Sequence, residues 1–335
     1  MAADRRGSAP APALAALAGL LFLAAAASLL VGRYPSPGFL SPWQLARDPL
    51  ALRLVLGLRL PRVLMDVLLG CVLGAAGTVF QMIFSNPLVE PGFLGVSQGA
   101  AFGAALCIVA LSAHPAAVEA TALFFALAGL GASLLLARAI RYGGWILRLV
   151  LAGIAVSAVF AAGLGLLKMA ADPRSRLADI TFWLLGSLSS TGWRDLLFAG
   201  PPAAVGLVVV VLARWRLNVL SLDERVAHAL GSAPGRERFL LLFSATLATA
   251  AVVSVTGLVG WVGLMIPHLA RRLFGADAAR SLPAALLAGG VFVVACDDVA
   301  RALLPVEIPL GVLTALLGTA AFLALMVARR RERGG

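Results

Sequence analysis

Leu58-Arg59-Leu60-Pro61-Arg62 opens the stretch that decides the fold, because a mostly apolar run continues from it to Phe84. That run is long enough to cross a membrane as one helix. It is followed by Asn86-Pro87-Leu88-Val89-Glu90-Pro91. Proline restricts the residue before it and has no N–H to donate, so the helix must end before this turn. We predict that the two ends of this helix have separate roles on opposite sides of a membrane.

The composition of the whole chain extends this prediction. Of its 335 residues 61% are hydrophobic and only 13% are charged, whereas a soluble domain has about 25% charged residues. We therefore predict an all-α integral membrane protein, a bundle of about ten transmembrane helices that forms one domain over 1–335 with no soluble domain. The predicted spans are 11–32, 62–84, 93–113, 116–138, 147–170, 193–213, 238–256, 258–272, 283–300 and 308–328.

The second predicted span carries small residues at helical spacing. Gly70, Gly74 and Gly77 share one side of it. Small residues spaced in this way let helix backbones approach closely inside a membrane. We therefore predict a densely packed helix, although this pattern is common to membrane bundles and indicates no function.

The distribution of positive charge indicates the orientation of the chain. The net charge is +11, but the arginines form short clusters between apolar runs and give no sign of a nucleic-acid partner. With the N-terminus inside, 17 of the 27 basic residues fall on the cytosolic side. This bias predicts that both termini are cytosolic. The run that follows Arg5 and Arg6 is longer than a signal-peptide core, so we interpret it as a retained first helix.

The segment 33–62 departs from the orientation rule. Five of the ten external positive charges lie in it. An acidic partner that docks on the outer face is one explanation, and arginines that reach lipid headgroups are the other. These five residues are Arg33, Arg47, Arg53, Arg59 and Arg62.

The segment 214–238 is the longest polar interruption, and it lies on the predicted cytosolic side. Ser221-Leu222-Asp223-Glu224 has the pattern of a capping box, with serine at the cap and glutamate three residues later. Gly231 follows where the helix would end. Apolar residues share one face of this short helix, which packs either on its own bundle and the lipid headgroups or in a groove of a cytosolic partner. That face comprises Leu222, Val226, Ala229 and Leu230.

Two further features carry polar groups at membrane depth. The irregular turn 84–92 must be enclosed by protein or line a water-filled space, so it is either a cytosolic gate or a plain loop. Asp297 and Arg301 are four residues apart on a predicted helix and can form an ion pair.

Catalytic and metal-binding patterns are not found in the sequence. A phosphate-binding loop needs a Gly-Lys-Ser/Thr motif, and the one lysine is Lys168. Cys71, Cys107 and Cys296 lie in apolar runs at wide spacing, which does not predict a metal site. We expect a chain that is not an enzyme and that binds no metal or cofactor itself.

Several blocks of the sequence, in order, resemble the FecCD-type permeases of bacterial ABC importers, which carry iron–siderophores, haem or cobalamin. The resemblance extends over about residues 50–328. The blocks are Arg59-Leu60-Pro61-Arg62, Gln81 through Gly95, Leu151-Ala152-Gly153-Ile154, Trp183 through Leu188, Leu217-Asn218-Val219-Leu220, Gly257 through Arg271, Asp298 to Arg301, and Glu307-Ile308-Pro309-Leu310-Gly311-Val312.

The resemblance implies ten spans per subunit in a bacterial inner membrane. It implies a second copy of this chain around one central pathway, two ATPase subunits that bind ATP and Mg²⁺ on the cytosolic side, and an external substrate-binding protein. By position it also implies roles for individual residues. The receptor would dock on Arg59, Arg62 and Arg301, and the ATPase subunits would couple through Ser221, Leu222, Asp223, Glu224, Ala227, Leu230 and Gly231. A cytosolic gate would consist of Asn86, Pro87 and Leu88, and the pathway would be lined by Gly153, Ser157 and Phe160.

The predicted function is the permease subunit of an ABC importer for a metal chelate, a ferric siderophore or haem in preference to cobalamin. A cobalamin importer permease is the alternative within the family. An ion-gradient-driven secondary transporter is the alternative from another class, and it would require polar residues near mid-membrane. Lys168, Asp66 and Asp297 all fall near predicted span ends.

Overall fold

The structure, a computed structural model, describes residues 10–32, 34, 38–111 and 114–331. Arg5, Arg6, Arg33 and Arg333, which entered the charge count, lie outside the described residues. The helices are α1 (Pro10–Leu30), α2 (Pro42–Arg47), α3 (Pro49–Leu54), α4 (Leu60–Ile83), α5 (Val96–Leu106), α6 (Pro115–Ala139), α7 (Trp145–Ala170), α8 (Arg176–Leu185), α9 (Trp193–Leu212), α10 (Arg216–Leu220), α11 (Glu224–Ala229), α12 (Pro234–Thr256), α13 (Val262–Phe274), α14 (Ala278–Ala302) and α15 (Leu310–Arg331).

Four short elements complete the chain as described. Two π-helical segments, Val55–Arg59 and Cys107–Leu111, adjoin α4 and α5. The strands β1 (Val31–Gly32) and β2 (Gly38–Phe39) pair antiparallel after α1. The prediction of an all-helical membrane protein is confirmed, because in the described part of the chain only these four residues form strands.

Membrane-length helices dominate the described residues. Eight helices there are long and apolar enough to cross a membrane. Each of the ten predicted spans coincides with a helix, but the third forms the 16-residue helix Val96–Leu111 and the eighth forms the 13-residue α13. At 1.5 Å per residue, 13 residues extend about 20 Å, which is less than the ~30 Å hydrocarbon core. These two predicted spans are therefore the shortest of the ten.

Helix α4 lies at the centre of the bundle. Its span is mostly buried, whereas α1 lies at the periphery and has almost no buried residues. The neighbours of α4 are α9, α12, α13 and α14. The helix with the arginines at its start and the proline turn after its end, α4, thus lies among these four neighbours.

Glycines allow the backbones around α4 to touch. A Cβ atom added at Gly70 would lie 2.1 Å from the carbonyl oxygen of Gly289 in α14. An added Cβ at Gly77 would lie 2.0 Å from the carbonyl oxygen of Gly263 in α13. Only glycine fits at such distances, so van der Waals packing of bare backbone joins α4, α13 and α14.

Helices α4 and α14 run antiparallel, which fixes the two ends of the bundle. Asp297, near the end of α14, contacts Arg62 at the start of α4. Asp277, just before α14, lies at the opposite end and contacts Asn218 of α10. A helix of 24 residues, the length of α4, extends about 36 Å. The predicted external arginines and the predicted cytosolic segment therefore lie on opposite sides of the membrane-spanning bundle.

Candidate functional site

The three predicted docking arginines, Arg59, Arg62 and Arg301, line one cavity at the outer end of the bundle. Its volume is about 360 Å³, and its wall also includes Glu307 and the loop 189–192. We call Arg59, Arg62 and Arg301, with the carboxylates of Asp297, Asp298 and Glu307, the outer cluster. The positive and negative side chains in it are equal in number, so it is less basic than the arginines alone suggest.

Arg62 is held by two carboxylates from other parts of the chain. Its Nε and Nη2 donate to the two oxygens of Asp297 at 3.0 and 2.8 Å. Its Nη1 donates to Glu307 Oε1 at 3.1 Å. The Arg62 side chain is 11% exposed and that of Asp297 is 1% exposed. A bidentate, nearly dry pair of this kind has a fixed geometry, so Arg62 joins α4 to α14.

Arg301 forms a second internal junction. Its Nε lies 3.4 Å from Asp297 Oδ2, which agrees with the predicted pairing along the helix. Its Nη2 also donates to the carbonyl oxygen of Ser28 at 2.8 Å and pairs with Asp298. Arg301 is only 6% exposed. Carboxylates of the same chain therefore neutralise both Arg62 and Arg301, and their role in receptor docking stays a prediction.

Arg59 differs from the other two arginines. It donates to the carbonyl oxygens of Leu29 at 3.1 Å and Tyr34 at 3.3 Å. Within the described ranges it forms no ion pair with a carboxylate. Arg59 therefore contributes a net positive charge to the cavity of the outer cluster.

Asp66 is a buried acid that the sequence reading did not include in the site. It lies one helical turn inward from Arg62, and it is fully buried. Neither of its carboxylate oxygens accepts a hydrogen bond from the residues that the structure describes. It interacts electrostatically with Asp297, Arg62 and Arg301. The i,i+4 spacing of Arg62 and Asp66 was the signal that could have identified it.

The predicted gate forms an exposed, internally bonded turn at the inner end of α4. Ser85 has a φ of +48°, which reverses the chain direction. The Asn86 side chain then accepts a hydrogen bond from the Leu88 N–H at 2.9 Å, an arrangement that stabilises a turn locally. Leu88 is 62% exposed. Burial raises the pKa of the nearby Glu90 carboxyl, so this turn combines an exposed tip with a partly desolvated acid.

Gln81 connects the gate to α13. Its Nε2 donates to the carbonyl oxygens of Gly263 at 3.3 Å and Leu264 at 3.0 Å. Arg271 donates to its Oε1, and its backbone carbonyl accepts from the Asn86 N–H at 3.1 Å. The turn is therefore connected to α13 through one residue, Gln81.

The segment 216–231, which we call the inner segment, lies in the predicted cytosolic region and contains α10 and α11. The predicted capping box is wrong, because Asp223 is the N-cap of α11 and accepts from the Arg225 N–H at 2.9 Å. Ser221 instead donates to the carbonyl oxygen of Asn218 at 2.8 Å, at the end of α10. The segment therefore contains two short helices of five and six residues, and the predicted short helix after Ser221 is α11.

Two polar side chains that received no role from the sequence attach the inner segment to the bundle. Asn218 donates to Asp277 Oδ1 at 2.7 Å and accepts from the Ala278 N–H at 2.9 Å, at the start of α14. The hydrogen bond from Asn218 is the largest cause that lowers the pKa of the Asp277 carboxyl. The buried Arg238 of α12 donates to the carbonyl oxygen of Leu220 at 3.2 Å.

The apolar face of the inner segment is uncovered. Ala227 is fully buried against the bundle, whereas Leu222, Val226 and Leu230 are 45%, 47% and 62% exposed. Gly231 ends the segment with a φ of +76°. Since α11 has only six residues, it keeps its position through its anchors and not through its own helix stability.

The predicted pathway residues on α7 face the interior of their own chain. Gly153 packs on Leu94, 3.0 Å from where its Cβ would be. Phe160 lies among aromatic rings of α5 and α6, with ring centroids 5.5 Å from Phe102 and 6.2 Å from Phe125. Ser157 is half-buried. The exposed face of α7 presents Leu151, Ile154 and Val159, and the pathway role of Gly153, Ser157 and Phe160 stays a prediction.

A bundle of membrane-length helices, with an ion-paired cavity at one end and an exposed apolar segment at the other, defines the class of multi-span membrane proteins. Among the described residues no group of three His, Cys, Asp or Glu side chains could hold a metal. The chain belongs to the FecCD transport family, which matches residues 20–328. It is therefore a multi-pass permease subunit of a metal-chelate ABC importer and is not itself an enzyme.

Individual relatives carry different names. The molybdate import permease MolB of Haemophilus influenzae is 37% identical and covers 94% of this chain and 95% of its own. The probable iron chelatin transport permease of Helicobacter pylori 26695 is 39% identical over 83% of both chains. The hemin transport permease HmuU of Yersinia pestis is 36% identical and covers 90% of this chain and 91% of its own. A solved structure of a metal-chelate type ABC transporter in an inward-facing conformation superposes with a TM-score of 0.88 at 36% identity, covering 95% of this chain and 99% of its own.

Proposed function

We propose that the cargo is an iron chelate, either a ferric siderophore or haem, which the importer moves across the bacterial inner membrane by alternating access. The observation that carries this proposal is similarity over more than four fifths of the chain to permeases named for iron chelatin and for hemin. Cobalamin is the alternative within the family, and a relative named for cobalamin import is 37% identical.

The partners that we propose are a second copy of this chain, two ABC ATPase subunits and an external substrate-binding protein. The exposed apolar face of α7, with Leu151, Ile154 and Val159, supports a position against the second copy beside the central pathway. ATP and Mg²⁺ then bind in the ATPase subunits, whose phosphate-binding loop this chain does not have.

The coupling of ATP hydrolysis to transport is proposed to pass through the inner segment. Its exposed Leu222, Val226 and Leu230 suit a groove on an ATPase subunit in the helix-in-groove mode. The hydrogen bonds between Asn218 and the start of α14 supply a rigid connection from the segment to the bundle. A displacement of α11 then moves α14, and the turn at Asn86, Pro87 and Leu88 opens or closes the inner side of the pathway.

Uptake by reconstituted vesicles tests the proposed function. We expect uptake of a radiolabelled iron chelate only when the permease, the ATPase subunits and the binding protein are all present. ATP must also be supplied on the side of the vesicle membrane that carries the ATPase subunits. Parallel assays with haem, a ferric siderophore, cobalamin and molybdate identify the cargo. Uptake that follows an imposed ion gradient without ATPase subunits would contradict the proposal and favour a secondary transporter.

Receptor docking is proposed to use Arg59 in particular, since its charge is not neutralised within the described chain. Arg59→Glu is expected to weaken binding of the substrate-binding protein about tenfold at low salt and to make the binding less salt-dependent, because a rim charge acts mainly by steering. The measurement is titration of the binding protein against the permease complex at several ionic strengths.

Arg53→Glu is the matched control for docking. Arg53 is an exposed arginine of the same external segment, but it does not line the cavity. We expect it to change the affinity by less than about twofold. Equal affinities of the Arg59→Glu variant and the unmodified chain would remove Arg59 from the docking surface.

A further inference from the structure

A cavity at the inner ends of α6, α7 and α12 has no role in the proposed transport cycle. Its volume is about 610 Å³. Three arginines line it, Arg138, Arg148 and Arg236, one from each of the three helices, together with Trp145 and Phe239. We call it the basic pocket. All three arginines belong to the set that the charge distribution assigns to the cytosolic side.

The arginines of the basic pocket are not neutralised. None of the three forms an ion pair with a carboxylate in the described part of the chain. Arg148 donates only a long hydrogen bond, 3.5 Å from Nη1 to the carbonyl oxygen of Ile140. Its Nε is buried and has no hydrogen-bond partner among the residues described. Three like charges around one cavity repel each other, and a buried donor without an acceptor is costly, so an anionic acceptor would remove both penalties.

The other wall of the basic pocket is apolar and faces the surroundings. Phe239 is 45% exposed and stacks on Phe243, one turn deeper in α12, with ring centroids 6.1 Å apart. Leu134 of α6 also lines the pocket. These side chains continue from the arginines along the membrane-spanning surface, so the pocket changes from charged to apolar with depth.

The pocket lies where lipid headgroups are expected. Helix α6 ends at Ala139, α7 begins at Trp145 and α12 begins at Pro234, so the pocket surrounds the inner ends of three spanning helices. Tryptophan is enriched at the membrane–water interface. Basic pockets between transmembrane helices on the cytosolic side are suited to anionic lipid headgroups.

We propose that the basic pocket binds the phosphate of an anionic phospholipid, with Arg148 and Arg236 at the phosphate and an acyl chain along Phe239 and Phe243. A soluble anion would not use the apolar wall, and a neutral lipid would not use the three unpaired arginines. The lipid site does not depend on the identity of the cargo or on the proposed transport cycle.

Occupancy of the pocket is connected to the inner segment by one side chain. The guanidinium of Arg238 lies 5.5 Å from the centre of the Trp145 ring, and the same guanidinium donates to Leu220 of α10. A headgroup bound beside Trp145 would therefore lie next to the anchor of the inner segment.

The test measures lipid retained by the full-length chain. The purified protein is placed in nanodiscs of phosphatidylcholine with increasing phosphatidylglycerol, and native mass spectrometry counts the lipids that stay bound. We expect preferential retention of phosphatidylglycerol. Arg148→Gln and Arg236→Gln are each expected to weaken that retention about fivefold, the effect of one arginine near an anionic lipid.

Arg141→Gln is the control, because Arg141 is exposed at the same end of the bundle and does not line the pocket. It should leave retention within about twofold. Arg236 is itself exposed, so its variant stays informative if the half-buried Arg148→Gln folds poorly. Equal retention in all variants, or an equal loss in Arg141→Gln, would overturn the proposal.

Two further arms separate other occupants from a lipid. Excess inorganic phosphate should not displace phosphatidylglycerol, and displacement would identify a site for a soluble anion and overturn the lipid proposal. Addition of the ATPase subunits should leave the lipid bound. Loss of lipid at that step would identify the basic pocket as a protein–protein contact, which also overturns it.

Discussion

Replacing Val226 and Leu230 together by aspartate is expected to abolish binding of the ATPase subunits. Both side chains are about half exposed or more, so the change should leave the fold intact. Burial of one aliphatic side chain contributes about 1.5–3 kcal/mol. Loss of two corresponds to about 4 kcal/mol, or roughly a thousandfold in affinity. The two carboxylates would also have to be buried without partners, which increases the loss.

Co-purification of the permease with its ATPase subunits measures this effect, and ATP-dependent uptake provides the functional readout. Leu273→Asp is the control, since Leu273 is an exposed leucine at the same end of the bundle, in α13 and outside the inner segment. It should retain the complex. A double variant that still co-purifies and transports at the normal rate would exclude the inner segment as the coupling surface.

Asp297→Ala is expected to destabilise the chain by about 3–5 kcal/mol, the usual cost when one partner of a buried ion pair is removed. Asp297 contacts both Arg62 and Arg301, and all three side chains are nearly inaccessible. Removal of this carboxylate leaves the two guanidinium groups close together without the negative charge that they share. The measurement is the midpoint of thermal or denaturant unfolding in detergent micelles.

Two variants control the effect of Asp297→Ala. Glu307→Ala removes the other carboxylate of Arg62, but the Glu307 side chain is 37% exposed, so we expect a loss of about 1 kcal/mol or less. In Arg62→Leu combined with Asp297→Leu, an apolar pair should recover part of the stability. Equal unfolding midpoints for Asp297→Ala and Glu307→Ala would show that Asp297 is not the centre of the outer cluster.

The sequence was sufficient for the class of protein and for the positions of the spans. Hydropathy and length identify helices because each spanning segment must satisfy its own backbone hydrogen bonds. The spacing of Gly70, Gly74 and Gly77 predicted close packing, but not that α13 and α14 supply the facing backbone. The order of the sequence blocks identified the family, which the comparisons confirm.

Contacts between distant parts of the chain could not be predicted. Arg62 and Asp297 are 235 positions apart, so nothing local indicates that a predicted docking arginine is already paired. Ser221 and Asp223 are both good N-cap residues. Ser221 is hydrogen-bonded to the end of α10, so Asp223 caps α11. The side of α7 that faces the bundle depends on its packing against α5 and α6, which are distant in the sequence from Phe160.

The glycine contacts between α4, α13 and α14 also restrict how the permease can change shape. Backbone carbonyl groups lie in close contact with the facing helix at Gly70, Gly77, Gly263 and Gly289. Sliding of one helix along another would make these groups collide with side chains. We expect these three helices to turn as one lever, with the outer cluster and the inner segment as its two ends. Flexing should then concentrate in the helices around this lever, and cross-links placed within the trio should be harmless to transport.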